Sequence, residues 1–294
     1  MKKEMSDTNK KVQGISNIKN IILVASGKGG VGKSVVSCNL AAALMKLGYK
    51  TGLLDADIYG PSIPIMFGIK KGIKIKAISA ENDSVIMMPI KKYGIKLMSI
   101  GFLTDPSSAI IWRSPMIVSA FMQMINQVFW GNLDYLIIDL PPGTGDIQLT
   151  ISQQISVSGS IIVSTPQDVV FADVVRAKSM FDKVNIKLFG IVENMSFFVC
   201  DNCNKRHNVF SYDKVKKNIK ELGIDFFTNI PINSKISESS DYGKPYVLDN
   251  CDDLSKIFLN LAEDLNRKIE KFPRINNSFI NLNKIQDKTI LPVI

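Results

Sequence analysis

The segment Gly27-Lys-Gly-Gly-Val-Gly-Lys-Ser34 limits what this chain can fold into more than any other. It has a first glycine, four intervening residues, then Gly-Lys-Ser. It follows the continuous apolar run Ile21-Ile-Leu-Val-Ala25, which reads as a strand buried on both faces. It opens an apolar-periodic segment from Lys33 to about Leu47, which reads as a helix ended by Gly48. In that setting the glycines let successive backbone N–H groups point inward as an anion nest at a helix N-terminus. Lys33 brings positive charge to the β- and γ-phosphates, and the Ser34 hydroxyl is a Mg2+ ligand. Lys28 is a charge beyond the standard requirement, placed for a second contact with phosphate or for a solvated surface.

Lys50-Thr-Gly-Leu-Leu-Asp55 supplies the next strand, and strand, helix and strand this close make a parallel βαβ unit. The alternation continues. Strands are expected over Val85–Pro89, Ile95–Ile100, Asp134–Asp139, Ser160–Ser164, Leu188–Glu193 and Phe226–Ile230. Helices are expected over Pro115–Trp130, Ala172–Lys183 and Leu254–Lys268. The fold class is therefore a doubly wound α/β domain with a mostly parallel sheet flanked by helices. In a chain of 294 residues we expect one such domain over residues 20–270, a polar tail over 1–19 and an irregular tail over 271–294.

Composition narrows the partners. The net charge of +9 comes from 31 lysines and five arginines against 27 acidic residues, and the lysines are spread thinly. A nucleic-acid surface clusters its basic residues and favours arginine, so no nucleic-acid partner is expected. No apolar run reaches about 18 residues and the first twenty have no apolar core of a signal peptide. No membrane partner is expected, and the setting is a cytoplasm or organelle matrix.

Carboxylates stand at strand ends, where open α/β sheets bind ligands. In Asp55-Ala-Asp57 the alternation puts both acids on one side, one to orient an attacking water and one to support the metal shell. Asp139 closes another buried strand and fits the Mg2+-water role, and the following Pro-Pro-Gly suits a loop that senses the γ-phosphate. Asn194 ends a further strand; its amide suits an adenine edge, and a plain turn residue is nearly as good a reading.

Four cysteines are too few for a disulfide scaffold at this length. Cys38 falls in the apolar stripe of the first helix and reads as core, and Cys251 is ambiguous. Cys200 and Cys203, followed by the single histidine His207, leave several readings open. They are two free surface thiols, a redox pair, a three-ligand zinc knuckle with His207, or half of a four-thiolate site completed by a second chain.

Taken together, Ser26–Ser34 with Lys28, Asp55-Ala-Asp-Ile-Tyr-Gly-Pro-Ser62, Trp112-Arg-Ser-Pro-Met116, Asp139-Leu-Pro-Pro-Gly-Thr-Gly-Asp146, Val192-Glu-Asn-Met-Ser196 and Cys200-x-x-Cys203 resemble the Mrp/ApbC family of iron–sulfur cluster carrier ATPases. These are relatives of the MinD/ParA/nitrogenase-iron-protein class with its deviant phosphate loop. The motifs run in the same order from about Asn20 to Arg267. The resemblance implies a homodimer that binds ATP and Mg2+ and bridges a labile 4Fe–4S cluster between the Cys200/Cys203 pairs of two subunits. It receives the cluster from scaffold donors and passes it to apo-proteins. On that pattern Gly27, Lys28, Gly29, Gly30, Val31, Gly32, Lys33 and Ser34 surround the phosphates, and Lys28 reaches the nucleotide across the dimer. Asp57 orients water, Asp139 is the Walker B acid and Asn194 contacts adenine. Hydrolysis is expected to be slow, because no arginine finger is supplied. Many members of the family carry an extra N-terminal domain, which the first 20 residues here are not expected to form, and Ser114 stands where the family usually has Gly. The alternative is a MinD/ParA-like positioning ATPase acting on membrane or DNA. It would need a C-terminal amphipathic helix, which Ile275–Ile294 does not offer, or a concentrated basic face. A nitrogenase-type electron carrier, with its cysteines far apart, ranks last.

Overall fold

The computed structural model describes residues 14–70, 72–79, 85–103, 113–208, 219 and 222–272. Residues 1–13 and 273–294 of the two expected tails, and Trp112, lie outside the described residues. In chain order the elements are β1 (Ile18–Ala25), α1 (Lys33–Lys46), β2 (Thr51–Asp55), α2 (Ile63–Met66), β3 (Ala77–Ser79), β4 (Val85–Met87), β5 (Ile90–Lys92) and β6 (Ile95–Ser99). There follow α3 (Ser114–Asn126), β7 (Leu133–Asp139), α4 (Asp146–Gln154), β8 (Gly159–Ser164), α5 (Asp168–Lys183) and β9 (Leu188–Glu193). The last are β10 (Phe198–Val199), β11 (Arg206–His207), β12 (Phe226–Asn229), α6 (Ser234–Asp241), α7 (Tyr246–Asp249) and α8 (Asp253–Lys271).

Eight strands form one sheet in the order β12-β9-β8-β1-β7-β2-β6-β5, parallel throughout except for the β5–β6 hairpin. That hairpin turns on Tyr93 and Gly94, both at positive φ, the conformation a two-residue hairpin turn needs. The central strands are apolar along their whole length because each face is covered. On one face Leu23, Leu54 and Ile138 meet Ile117 and Phe121 of α3, Ile151 of α4 and Phe181 of α5. On the other, Ile22, Leu53 and Ile137 meet Val36, Leu40 and Leu44 of α1 and Phe258, Leu261 and Leu265 of α8.

β1 lies between β7 and β8, so chain connections leave it in opposite directions, and a crevice opens at its carboxyl end. Register sharpens this. Asp139 of β7 pairs with Val24 on one side and with Asp55 of β2 on the other, so the two strand-end acids stand side by side.

The helix expected over Pro115–Trp130 ends four residues earlier. Val128 forms a bridge with Met87 and Phe129 N–H donates to the Met87 carbonyl at 2.9 Å, which pulls this β-branched and aromatic run into extended form. The strand expected over Val85–Pro89 pairs with β3 in a separate two-stranded ribbon, not in the main sheet. The α4, α6 and α7 helices carry no apolar stripe strong enough to have been anticipated. Leu40, fully buried between α1 and the sheet, tests this packing. Leu40→Ala is expected to lower unfolding free energy by about 2–5 kcal/mol in urea denaturation.

Candidate nucleotide and thiol site

The Gly27–Ser34 loop crosses the carboxyl end of β1 and leads straight into α1, whose N-cap is Gly32. Gly32 adopts φ 81°, and a Cβ there would lie 2.2 Å from the Asn194 side-chain nitrogen. The backbone conformation and the close approach both demand glycine. Asn194 makes use of that space: its Nδ2 donates to the Val31 carbonyl at 2.9 Å, and its backbone N–H donates to Ser164 at 2.8 Å. The end of β9 is thereby tied to the underside of the loop.

Lys33 is almost wholly buried, with Nζ 2.8 Å from Asp139 Oδ2 and 3.6 Å from Asp57 Oδ2. Burial works against its ammonium. The charge and hydrogen bond of Asp139, with Asp57 and Asp55 behind it, outweigh that and raise its pKa. Asp139 also accepts from Ser34 Oγ at 2.6 Å and from Ser37 Oγ at 2.7 Å, so both carboxylate oxygens are held. Ser37 escaped the motif reading, although its place three residues after Ser34 puts it on the same helical face.

Asp55 is fully buried and accepts from the Asp57 and Ile63 N–H groups and from Ser99 Oγ. Burial, then the neighbouring Asp139 charge, pushes its pKa to about 8. The native state therefore holds this proton more tightly than the unfolded chain. The stability contributed by Asp55 falls as pH rises from the ordinary carboxylate range toward 8. Asp57 is shifted upward too, chiefly by burial and against the pull of Lys33, and its Oδ1 is buried without a partner. The two acids of Asp55-Ala-Asp57 thus differ: Asp55 is bound into the protein, and Asp57 presents an unused oxygen beside Lys33. Ser34, Asp57 and Asp139 are an all-oxygen set, the donor chemistry that suits Mg2+.

Lys28 Nζ lies 3.3 Å from Gln167 Oε1 of the β8–α5 turn. Gly27 is pressed against α5, where a Cβ would sit 2.3 Å from Asp173 Cβ. Neither Gln167 nor Asp173 stood out in the sequence, because nothing local marks a contact that tertiary folding alone creates.

Beyond Asn194 the chain passes through Met195 at φ 53° and Ser196, whose N–H donates to Ile230, into β10. The β10–β11 ribbon places Cys200 and Cys203 in its connecting turn, closed by Asn204 N–H to the Cys200 carbonyl at 2.8 Å with Asn204 at φ 55°. Cys203 is exposed and Cys200 half-exposed. The Cys200 thiol is pulled below its ordinary range by hydrogen bonds from the Cys203 and Asn202 backbone and from the Cys203 side chain. Among the described residues no three His, Cys, Asp or Glu side chains converge as a metal site. Cys38 is buried in the α1 core with Sγ 3.6 Å from Met66 Sδ, as its stripe position implied. Cys251 is exposed.

A parallel sheet whose first strand feeds a glycine loop, with a buried Lys33–Asp139 pair beneath it, defines a P-loop NTPase of MinD/ParA type. Solved structures agree. A nucleotide-binding protein from Archaeoglobus fulgidus, in complex with ADP, matches with TM-score 0.69 and 41% identity over 80% of this chain and 90% of its own. The cell-division ATPase MinD of Pyrococcus furiosus matches with TM-score 0.61 and 18% identity over 85% and 99%, a likeness that shows the fold alone. The chain matches the family model of the NUBPL iron-transfer P-loop NTPases over residues 17–266 and belongs to that family. An iron-sulfur cluster carrier protein of Aquifex aeolicus is 45% identical over 90% of this chain and 71% of its own length. An iron-sulfur cluster transfer protein NUBPL of Dictyostelium discoideum is 44% identical over 87% and 78%. The motif-based resemblance to iron–sulfur cluster carrier ATPases is in accord with both. No helix among the described residues is long and apolar enough to cross a membrane.

Lys33→Met would leave three acids facing one another without a counter-charge. It is expected to cost about 3–5 kcal/mol of stability, the usual result of removing one partner of a buried pair. The loss is expected to be greater at pH 8 than at pH 5.5, where protonation relieves the acids; urea denaturation at the two pH values measures it.

Proposed function

We propose that the chain is an iron–sulfur cluster carrier that binds and slowly hydrolyses ATP, takes up a labile cluster from scaffold donors and delivers it to apo-proteins. The observation that carries this reading is the Cys200/Cys203 pair, half-exposed and exposed, in the turn of a ribbon rooted, through Asn194, in the nucleotide loop. The names of relatives at 44–45% identity support it.

Two thiolates are half of the four that an iron–sulfur cluster usually takes. A homodimer with its two-fold axis beside the ribbon supplies the other two, and the resemblance to iron–sulfur cluster carriers makes the shared cargo a 4Fe–4S cluster. An exposed, shared site suits a cargo that must leave, since parting or tilting the two ribbons opens it. The setting is a reducing cytoplasm or organelle matrix, where free thiols persist.

At the nucleotide end, the loop N–H groups and Lys33 take the phosphates of ATP, and Lys28 exchanges Gln167 for the nucleotide of the partner subunit. Mg2+, when bound, offsets phosphate charge. Ser34 and Asp139 hold it, and Asp57 directs the attacking water with the oxygen that has no protein partner. Asn194 meets adenine while keeping its bond to Val31. Slow chemistry is expected on this reading, because lysines and not an arginine finger meet the transition-state charge.

Anaerobic reconstitution with iron and sulfide tests the cargo site. Wild-type protein is expected to retain iron and acid-labile sulfide after desalting, and the Cys200→Ser/Cys203→Ser double variant to retain only background. Equal retention by the two would reject the reading.

A further inference from the structure

The loop after Asp139 has an unusual deficit of backbone donors, because Pro141 and Pro142 carry no N–H. On one side it is fastened to the nucleotide-binding edge: Leu140 N–H donates to Val24 at 3.0 Å and Gly143 N–H to Ser26 at 2.9 Å. Pro142 is the nearest group to Gly29, where a Cβ would sit 3.9 Å from its own Cβ. On the other side a side chain of α4 reaches the loop. Gln148 of α4, almost wholly buried, donates from Nε2 to the Pro141 carbonyl.

Gln148 is the third residue of α4, whose N-cap is Gly145. In a capping box, where Ser or Thr is the N-cap, a glutamine there turns its amide oxygen back to the N-cap N–H; the N-cap here is glycine. Gln148 does not cap. It spends its donor on Pro141, and its Oε1 is buried with no partner. One turn along the same face, the Ser152 hydroxyl is likewise buried without a partner. A leucine of similar volume would remove this orphaned oxygen but would also leave the Pro141 carbonyl without its Gln148 donor. The Gln148 amide is therefore committed to the loop and not to its own helix end.

We infer that Gln148 is a positioning residue for ATP turnover: it latches the Asp139–Gly145 loop against the glycine loop, and α4 moves with the loop through it. This deepens the nucleotide reading above, since the loop it fixes begins at Asp139. Because α4 packs between α3 and α5, the latch also connects the loop to one whole helical layer. Gln148 acts through the Pro141 carbonyl and touches no reacting atom.

The test uses the full chain and two variants. In Gln148→Leu, hydrogen exchange in residues 140–147 is expected to accelerate about tenfold while exchange in the rest of the chain stays at the wild-type rate. The kcat for ATP is expected to fall about tenfold with KM for Mg-ATP within about twofold. In Gln148→Glu only the protonated carboxyl can donate to Pro141, so exchange is expected to slow toward the wild-type rate, after correction for intrinsic exchange, as pH is lowered. Wild-type exchange of residues 140–147 in Gln148→Leu would overturn the inference. So would a lowered midpoint with exchange raised across the whole chain, the mark of a merely structural residue. Exchange reads the latch independently of turnover, so a wild-type chain that binds no ATP would count against the proposed function and not against the latch.

Discussion

The buried pair between Lys33 and Asp139 is the interaction on which the rest of the arrangement turns. The parallel register of β2 and β7 sets Asp55 and Asp139 side by side at the sheet edge, and Asp57 follows two residues later. Three acids in a space with so little water would repel one another strongly. The structure resolves this in two ways. Lys33 enters from the start of α1 and bonds Asp139, and Asp55 holds its proton up to about pH 8. The glycine loop is placed because Lys33 must reach this point, and α1 is buried nearly all round because it begins here. A phosphate that takes over the Lys33 ammonium thus changes the balance at three carboxylates at once.

The same edge organises the distant thiols. Asn194, at the end of β9, joins the Val31 carbonyl, and six residues later the chain presents Cys200. Between them the backbone is pinned to the β12 end by Ser196 N–H to Ile230 and by Ile232 N–H to Phe197. The ribbon that carries the cysteines is therefore not an independent appendage. Its root shares hydrogen bonds with the nucleotide loop, which gives a short covalent and hydrogen-bonded route between the two.

Much of this was legible in the sequence, for identifiable reasons. The glycine loop, Asp55, Asp57 and Asp139 lie in contiguous motifs beside apolar runs, so local pattern and chemistry coincide. The parallel sheet followed from the same runs. What could not be read depends on partners far away in the chain. Ser37 meets Asp139 across 102 residues, Ser99 meets Asp55 across 44, and Lys28 meets Gln167 across 139. The α4 helix was hidden because its sequence, Asp-Ile-Gln-Leu-Thr-Ile-Ser-Gln-Gln, buries polar Gln148 and Ser152 where an apolar stripe is expected. The overrun of α3 to Trp130 came from a periodicity that Met87 interrupts by pairing. At the ribbon, spacing gives two thiols, and whether a second chain supplies two more leaves no trace in the sequence of one.

The central claim is that one cluster is shared by two chains, and its stoichiometry tests it most directly. Anaerobically reconstituted protein should be measured for iron content and, in the same sample, for mass by sedimentation. The account predicts a dimer carrying about four iron atoms per two chains, with cluster-free protein shifting toward monomer. A cluster-loaded species that sediments as a monomer with a full complement of iron on each chain would contradict it.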